Sequence, residues 1–455
     1  MSTHLSFCRG LSLVLVCGGL VAAQATGAPP ELPRYRLQVG QELQYAGKSE
    51  FKYDNGQHNT DSTWRIWVVR QNKDGGWRLV IRSGSTFSQG NAKRSTPADE
   101  RVTFAWCDIS PAGEITENDS FGFRLRPNGI LPRLPEDATA MKIGWTSEYR
   151  RLDEQHRYKV LPDQSAEGKI AIEGALESAM NEIYGVTNTH VVTFDLSRGL
   201  PEKVVESSTQ TYGFNGQGTG TTSLEKIETH DAAWTRDFTA DTDGYFAAKQ
   251  VYDKATSIRN QSPDDLEKSM QKAVADLISV RETIKTPELQ QQLDRDIKQH
   301  DQYVSYYTEE AKKRQTLLNH PAAEWICQDL AGKEHALKDY RGRVVVLDFW
   351  YRGCGWCIRA MPQMKELAAH FKDQPVTVFG MNTDRDEADA QFVIDKLALN
   401  YLNLKAKDIP SKYSVQGFPT LLIIDQDGIL RDIHSGYSPT LKEEVVKSIE
   451  GLLNR

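Results

Sequence analysis

Residues 344–357 read VVVLDFWYRGCGWC. The first seven are almost all apolar, which is typical of a central strand covered on both faces. After the second cysteine, apolar residues recur at helical spacing through Met361 and Leu367. The sequence therefore predicts a buried strand, a short loop and then a helix that begins at Cys354, with Cys357 nearly one turn further along.

The start of a helix is a favourable place for a reactive thiol. Unpaired backbone N–H groups and the helix dipole stabilise an anion there, so we expect a lowered pKa for the Cys354 thiol. Arg352 and Arg359 add positive charge nearby. Cys357 lies on nearly the same helical face, so the two sulfurs can close a small disulfide ring. The pair is predicted to be redox-active.

Other uses of a Cys-x-x-Cys motif fit this sequence poorly. A c-type haem site needs His directly after the second cysteine, where Ile358 stands. Structural zinc needs four ligands, and no second Cys pair or nearby His pair is present in the sequence. A peroxiredoxin would have Thr or Ser at position 351 and Pro at 347, which hold Tyr351 and Leu347. A purely structural disulfide across four residues would constrain little of the unfolded chain, so the motif favours thiol–disulfide redox chemistry.

The motif and its surroundings resemble the thioredoxin superfamily, and most of all the exported TlpA/ResA-like thiol-disulfide oxidoreductases. The resemblance covers residues 321–455 and implies an α/β thioredoxin-like domain. It implies that Cys354 is the nucleophile and Cys357 the resolving thiol. Asp348, six residues before Cys354, falls where thioredoxin has a buried carboxylate, which would take the proton from Cys357.

The resemblance also implies a substrate-binding set: Trp350, Trp356, Phe418 and Pro419. In this family the peptide bond before the proline that matches Pro419 is cis, and Phe418 and Pro419 would offer backbone groups to an extended substrate segment. Trp350 matches the family tryptophan beside the site. The Gly-Trp pair between the cysteines departs from the Gly-Pro of thioredoxin, so the redox potential does not carry over.

The preceding chain divides into two regions. Residues 31–235 are predicted to be β-rich, because short strand patterns alternate with turn signals such as Asp74-Gly75. These strand patterns favour an antiparallel β barrel or a β sandwich, and they do not decide between the two. Residues 240–318 are predicted to be a helical hairpin that links this region to the last domain, at 319–455. A short helix near Tyr245–Ile258 is expected to pack on the hairpin.

The hairpin prediction rests on two apolar stripes whose members are spaced alternately four and three residues apart. The stripes are Leu266, Met270, Ala273, Leu277, Val280 and Ile284, then Leu293, Ile297, His300, Val304, Tyr307 and Ala311.

Residues 1–28 are predicted to be a secretory signal peptide. A short apolar stretch follows Arg9, and Ala23-Gln24-Ala25 supplies the small residues that a signal peptidase reads, with cleavage near Ala25. An uncleaved membrane anchor is the alternative. Export would place the protein in the periplasm or outside the cell, where disulfides persist.

Composition gives information on nucleic-acid binding and on the two cysteines outside the motif. The 455 residues are 39% hydrophobic and carry a formal net charge of -7, which gives no electrostatic case for nucleic-acid binding. Cys107 and Cys327 are expected to be isolated buried thiols, with a bridge between them as the alternative.

Together these features predict an exported, three-part thiol-disulfide oxidoreductase that reduces protein disulfides. It would need no metal or organic cofactor, and an upstream thiol donor, which a membrane protein could supply, would recharge the dithiol. Two other functions stay open. The chain could oxidise or isomerise disulfides, or it could be a surface binding or scaffold protein with an accessory redox domain.

Overall fold

The computed structural model describes most of the chain after the predicted signal peptide. The described residues are 31–89, 101–119, 129–149, 154–257 and 262–454. The predicted signal peptide, residues 1–28, lies outside them. Within these ranges no helix is both long enough and apolar enough to span a bilayer.

The N-terminal region is one antiparallel sheet of eleven strands. Its strands in chain order are β1 (Gln41–Tyr53), β2 (Gly56–Gln71), β3 (Trp77–Gln89), β4 (Arg101–Ile109), β5 (Ile115–Asn118), β6 (Trp145–Tyr149), β7 (Glu154–Val160), β8 (Lys169–Glu177), β9 (Thr187–Asp195), β10 (Leu200–Gln210) and β11 (Gly216–Thr229). Two short helices, α1 (Ala138–Ile143) and α2 (Ala179–Ile183), interrupt the series.

The strands pair in the order β5-β4-β3-β2-β1-β11-β10-β9-β8-β7-β6. Except for β5 and β6, strands that are consecutive in sequence are neighbours in the sheet, and β11 returns to pair with β1. This confirms the predicted antiparallel β region and makes it a single large sheet with β5 and β6 at its edges. Strands from both halves contribute to one core, in which Leu79 and Phe194 are fully buried.

The hairpin predicted at Asp74-Gly75 joins β2 to β3. Gly75 adopts a positive φ of 86°, which glycine tolerates without steric cost. Alternate residues of the two strands enter different cores, because successive side chains of a strand point to opposite faces. Ile66 and Ile81 face the core of the sheet, whereas Trp67 and Val80 face a second core beneath the helices.

Three helices cover this second face: α3 (Ala232–Ser257), α4 (Pro263–Thr283) and α5 (Pro287–Leu317). The predicted α4 stripe is confirmed, since its members from Leu266 to Leu277 are buried. The expected short helix near Tyr245–Ile258 is part of the longer α3, which begins at Ala232. The proposed boundary at 235–240 therefore falls inside a helix.

The C-terminal region contains a five-stranded sheet with three helices. Its elements are β12 (Ile326–Gln328), β13 (Glu334–Ala336), β14 (Val344–Trp350), α6 (Gly355–His370), β15 (Val376–Asn382), α7 (Glu387–Leu397), β16 (Leu402–Lys405), β17 (Thr420–Ile424), β18 (Leu430–Ser435) and α8 (Leu441–Leu453). The sheet order is β16-β15-β14-β17-β18, and β12 and β13 form a separate two-stranded sheet.

This topology confirms the predicted thioredoxin-like arrangement. The central strand β14 is parallel to β15 and antiparallel to β17, and all seven of its residues are buried. Because β14 is covered on both faces, the loop after it and the first turn of α6 are fixed at the carboxyl end of the strand. That junction carries the two cysteines.

Candidate redox site

Cys354 and Cys357 form a disulfide at the start of α6. Cys354 is the N-cap residue of the helix, and its sulfur accepts a hydrogen bond from the Cys357 N–H at 3.1 Å. The Cα atoms of the pair are 5.2 Å apart. Both residues are buried, and Cys354 is only 6% exposed. The structure therefore holds the oxidised form of the predicted pair.

Asp348 is buried on β14, as the sequence predicts. Burial raises the pKa of its carboxyl to about 7, because a charge is poorly solvated there. The Tyr401 hydroxyl donates a long hydrogen bond of 3.5 Å to Oδ2. Oδ1 has no hydrogen-bond partner among the described residues. A carboxyl in this state can hold or release a proton near neutral pH.

Trp350 lies at the end of β14 and is fully buried. Its indole Nε1 donates a hydrogen bond of 2.9 Å to Asn403 Oδ1 on β16. This differs from its predicted place in the substrate-binding set, since a fully buried ring offers no surface to a substrate. The contacts instead make Trp350 part of the packing beneath the two cysteines.

The loop before β17 contains a cis peptide bond between Phe418 and Pro419. Pro419 is buried, and its carbonyl already accepts a hydrogen bond of 2.7 Å from the Gly436 N–H. Phe418 is half-buried and meets the Tyr351 ring edge-on at 5.2 Å. The structure thus places Phe418 and Tyr351 side by side next to the redox pair.

Trp356, between the two cysteines, is the most accessible aromatic residue of the predicted set. The residue is 50% exposed, and its ring stacks on the Tyr437 ring with 5.5 Å between the ring centres. The Arg359 guanidinium lies 5.2 Å from the centre of the ring. An exposed indole held by two neighbours is a ready contact for an apolar group.

Arg352 has a different role from the one predicted. Its Nε and Nη2 donate hydrogen bonds of 3.1 and 2.6 Å to the Ile183 carbonyl, in the β-rich region. Its Nη1 donates to Asp389 at 2.8 Å, and its guanidinium lies 3.9 Å from the centre of the Tyr212 ring. The charge is paired with a carboxylate, so Arg352 joins two regions of the chain rather than supplying free positive charge to the thiol.

The helix α2 reaches the redox site from the β-rich region. Ile183 is fully buried in one apolar cluster with Cys354, Cys357 and Trp350. Burying an isoleucine side chain contributes about 1.5–3 kcal/mol. A further ion pair joins Glu182 to Lys396 of α7. The redox site is therefore built from two distant parts of the sequence.

The other cysteines are separate from this site. Cys107 on β4 and Cys327 on β12 are free and buried, which confirms the expectation of isolated thiols and excludes a bridge between them in this structure. Burial raises the pKa of Cys107 to about 12 and that of Cys327 to about 11. Thiols in such surroundings are poor nucleophiles.

One other group of potential metal ligands occurs in the described residues: Glu42, Glu228 and His230. Glu42 accepts hydrogen bonds from Arg65 Nε at 2.6 Å and is 2.8 Å from His230 Nε2. The Arg65 guanidinium also forms an ion pair with Glu288 on α5, so these side chains are part of a polar network between the β sheet and the helices.

Comparison with known proteins agrees with this site. The model of the AhpC/TSA family matches residues 318–433. The thiol-disulfide oxidoreductase ResA of Geobacillus kaustophilus is 30% identical over 152 residues, which are 33% of this chain and 84% of that protein. The chain belongs to the ResA family of thiol-disulfide oxidoreductases.

Two further similarities lie in the same ResA-like domain. The thioredoxin-like protein YneN of Bacillus subtilis is 30% identical over 118 residues, 25% of this chain and 69% of that protein. A crystal structure of the thioredoxin domain of a thiol-disulfide oxidoreductase from Bacteroides vulgatus is 28% identical, covers 29% of this chain and 97% of that one, and superposes with a TM-score of 0.28.

Sequence reasoning did not find the site residues that lie far from the ResA-like motif. These are Tyr401, Asn403, Met180, Ile183 and Tyr184. The only local signal for the last three was Ser178, a good N-cap residue, whose hydroxyl accepts from the Asn181 N–H.

Proposed function

We propose that this protein is an exported enzyme that reduces protein disulfides through the Cys354-Cys357 dithiol. The observation that carries the proposal is the placement of Cys354 as the N-cap of α6 with Cys357 bonded to it. ResA-type thiol-disulfide oxidoreductase chemistry is shared with the relatives, whereas the direction of transfer and the protein substrate belong to this proposal.

In the proposed reaction the Cys354 thiolate attacks one sulfur of the substrate disulfide. A bond forms between Cys354 and that sulfur, and the other substrate sulfur leaves as a thiolate. Cys357 then attacks Cys354, which releases the second substrate sulfur and forms the disulfide seen in this structure. Two electrons pass from the dithiol to the substrate.

Asp348 is the proposed acceptor of the Cys357 proton. Its raised pKa of about 7 lets the carboxylate take a proton near neutral pH, and its unpartnered Oδ1 is available to bind it. The electrons reside in the two sulfurs, so the reaction needs neither a metal nor an organic cofactor. A thiol donor must then reduce the Cys354-Cys357 disulfide for another turnover.

The direction of transfer is tested by the reduction potential of the Cys354/Cys357 couple. Equilibration of the full-length protein with dithiothreitol or glutathione buffers is expected to give a value near or below that of thioredoxin, about -270 mV. A value near that of the oxidant DsbA, about -120 mV, would contradict a reductase and favour the oxidase or isomerase alternative.

Export is supported by the signal-like pattern of residues 1–28. Expression in a secreting host is expected to yield a protein that begins near Thr26, and the intact mass measures this. A mass that still includes residues 1–25 would contradict cleavage.

The scaffold alternative is tested by deleting residues 319–455. If the shortened protein keeps all the binding and the cellular effect of the full-length protein, that result would favour the scaffold alternative.

A further inference from the structure

The proposed proton acceptor, Asp348, is contacted by a second buried residue. Tyr401 lies directly before β16 and is buried, and its hydroxyl donates a hydrogen bond of 3.5 Å to Asp348 Oδ2. Burial raises the pKa of the Tyr401 hydroxyl well above its ordinary range, so the hydroxyl keeps its proton and remains a donor. Asp348 Oδ1, in contrast, has no hydrogen-bond partner among the described residues. The two oxygens of this carboxyl therefore have different surroundings.

Tyr401 is held in place by hydrogen bonds between neighbouring strands. Asn403 Nδ2 donates a hydrogen bond of 2.9 Å to the Tyr401 carbonyl, and Asn403 Oδ1 accepts one of 2.9 Å from Trp350 Nε1. Asp348, Gly380 and Asn403 lie side by side on β14, β15 and β16. A Cβ atom built on Gly380 would collide with the Asn403 side chain and lie 2.8 Å from Trp350 Nε1. The glycine thus leaves room for the hydrogen bonds that fix the backbone of Tyr401.

No charged side chain of the described residues competes with Tyr401 for this carboxyl. In the oxidised protein, Tyr401 is the only ionisable side chain among them that affects the pKa of Asp348. The neighbouring strands place Gly380 and Leu421 opposite Asp348, and neither residue carries a charge. Helices α6 and α8 contribute apolar residues to the cluster on this face of the sheet. Because a hydrogen bond to a carboxylate favours the ionised form, the Tyr401 hydroxyl opposes the effect of burial.

We propose that Tyr401 is a positioning residue for the resolving step: its hydroxyl holds Asp348 Oδ2 and leaves Oδ1 for the Cys357 proton. In that step a bond forms between Cys357 and Cys354, and the bond from Cys354 to the substrate sulfur breaks. The substrate sulfur leaves with the electron pair, and the proton of the Cys357 thiol passes to the Asp348 carboxylate. This inference rests on the proposed function, because it assigns a role within that reaction.

The test follows the resolving step in the reduced full-length protein, mixed with an equimolar amount of dithiobis(nitrobenzoate). Attack by Cys354 releases the first thionitrobenzoate, and attack by Cys357 releases the second, at a rate independent of reagent concentration. The second rate is expected to rise with pH as Asp348 ionises, with a midpoint near its pKa of about 7. Tyr401→Phe removes the donor to the carboxylate and should move this midpoint upward by about one pH unit.

Tyr413→Phe is the matched control. Tyr413 is also buried in the ResA-like domain, but its hydroxyl donates to the Ala323 carbonyl at 2.6 Å. Loss of that hydroxyl should leave the midpoint unchanged. A second measurement needs no turnover: the infrared carboxyl absorption of Asp348 in the oxidised protein, identified by its loss in Asp348→Asn, should titrate about one pH unit higher in Tyr401→Phe.

The outcomes separate this inference from the proposed function. A higher midpoint in Tyr401→Phe, with the wild-type midpoint in Tyr413→Phe, supports the positioning role. A slower second release with an unchanged midpoint in Tyr401→Phe would overturn it and leave the proposed function standing. If Asp348→Asn keeps the pH profile of the wild type, Asp348 is not the proton acceptor, and the proposed proton transfer fails together with this inference.

Discussion

At the scale of single residues, Asp348 shows how burial adapts an ordinary side chain to proton transfer. Its carboxyl lies inside an otherwise apolar strand, and this position could be predicted from the run VVVLDFW alone. Its contact with Tyr401 could not, because the two residues are 53 positions apart and no local pattern links them. Local sequence thus predicts that this group is buried, but not which residue is its partner.

Replacement of Asp348 by Asn is expected to stabilise the oxidised protein at pH 8. The pKa of about 7 in the folded protein exceeds that of an unfolded aspartate, about 3.9, so stability is lost as pH rises through this window. Asn cannot ionise, so Asp348→Asn should gain about 2–4 kcal/mol at pH 8 and less than about 1 kcal/mol from this source at pH 4. Chemical unfolding at the two pH values measures the difference.

Asp425 is the matched control for this change. It is also buried in the ResA-like domain, but it accepts hydrogen bonds from the Ile429 N–H and from Arg431 Nε. Burial alone would raise its pKa, yet these hydrogen bonds outweigh burial and lower it. Asp425→Asn should therefore destabilise the protein at pH 8. If Asp348→Asn also destabilises the protein at pH 8, this result would contradict the raised pKa of Asp348.

At the scale of elements, a regular apolar period in the sequence predicts the positions of helices and strands correctly. The stripe of α4 and the apolar strand β14 both lie where the sequence predicts them, because each is long enough for its period to be read. The start of α3 was missed: Asp231 caps it by accepting from the Trp234 N–H at 2.8 Å, but the apolar positions of its first turns are few. A five-residue helix such as α2 has no readable period and depends on tertiary packing.

The packing of α4 against α3 and α5 predicts a contrast between two adjacent residues. Leu277 is fully buried, whereas Ile278 is 43% exposed. Leu277→Ala should lower the free energy of unfolding by about 2–5 kcal/mol, because it leaves a cavity beneath the helix. Ile278→Ala should change it by less than about 1 kcal/mol. Equal losses in urea unfolding would contradict the orientation of α4.

At the scale of the whole molecule, the structure joins two regions that the sequence treats as separate. The ResA-like domain could be predicted from its motif and strand order, and so could the antiparallel character of the β-rich region. Their contact could not, since Arg352 and Ile183 are 169 residues apart. Contacts of this kind depend on the placement of whole elements and leave no periodic signal in the sequence.

Arg352 is expected to hold the two regions together. Lysine cannot donate two directed hydrogen bonds to the Ile183 carbonyl while stacking on Tyr212. Arg352→Lys should therefore weaken the contact between residues 178–184 and the ResA-like domain by about 2 kcal/mol. It should speed amide hydrogen exchange in residues 178–184 by about 30-fold. Hydrogen-exchange mass spectrometry of the full chain measures this.

Arg341→Lys serves as the control, because Arg341 pairs with Glu324 on the surface of the ResA-like domain. It should leave exchange in residues 178–184 unchanged. Unchanged exchange in Arg352→Lys as well would show that the arginine does not hold the interface.

Attack by Cys354 and resolution by Cys357 are tested by trapping the mixed disulfide between them. The reduced Cys357→Ser protein is mixed with a peptide that carries a disulfide, and intact-mass analysis follows the products. A stable adduct that maps to Cys354 is predicted for this variant, with none for Cys354→Ser. An adduct of equal yield in Cys354→Ser, or full turnover by Cys357→Ser, would contradict these roles of the two cysteines.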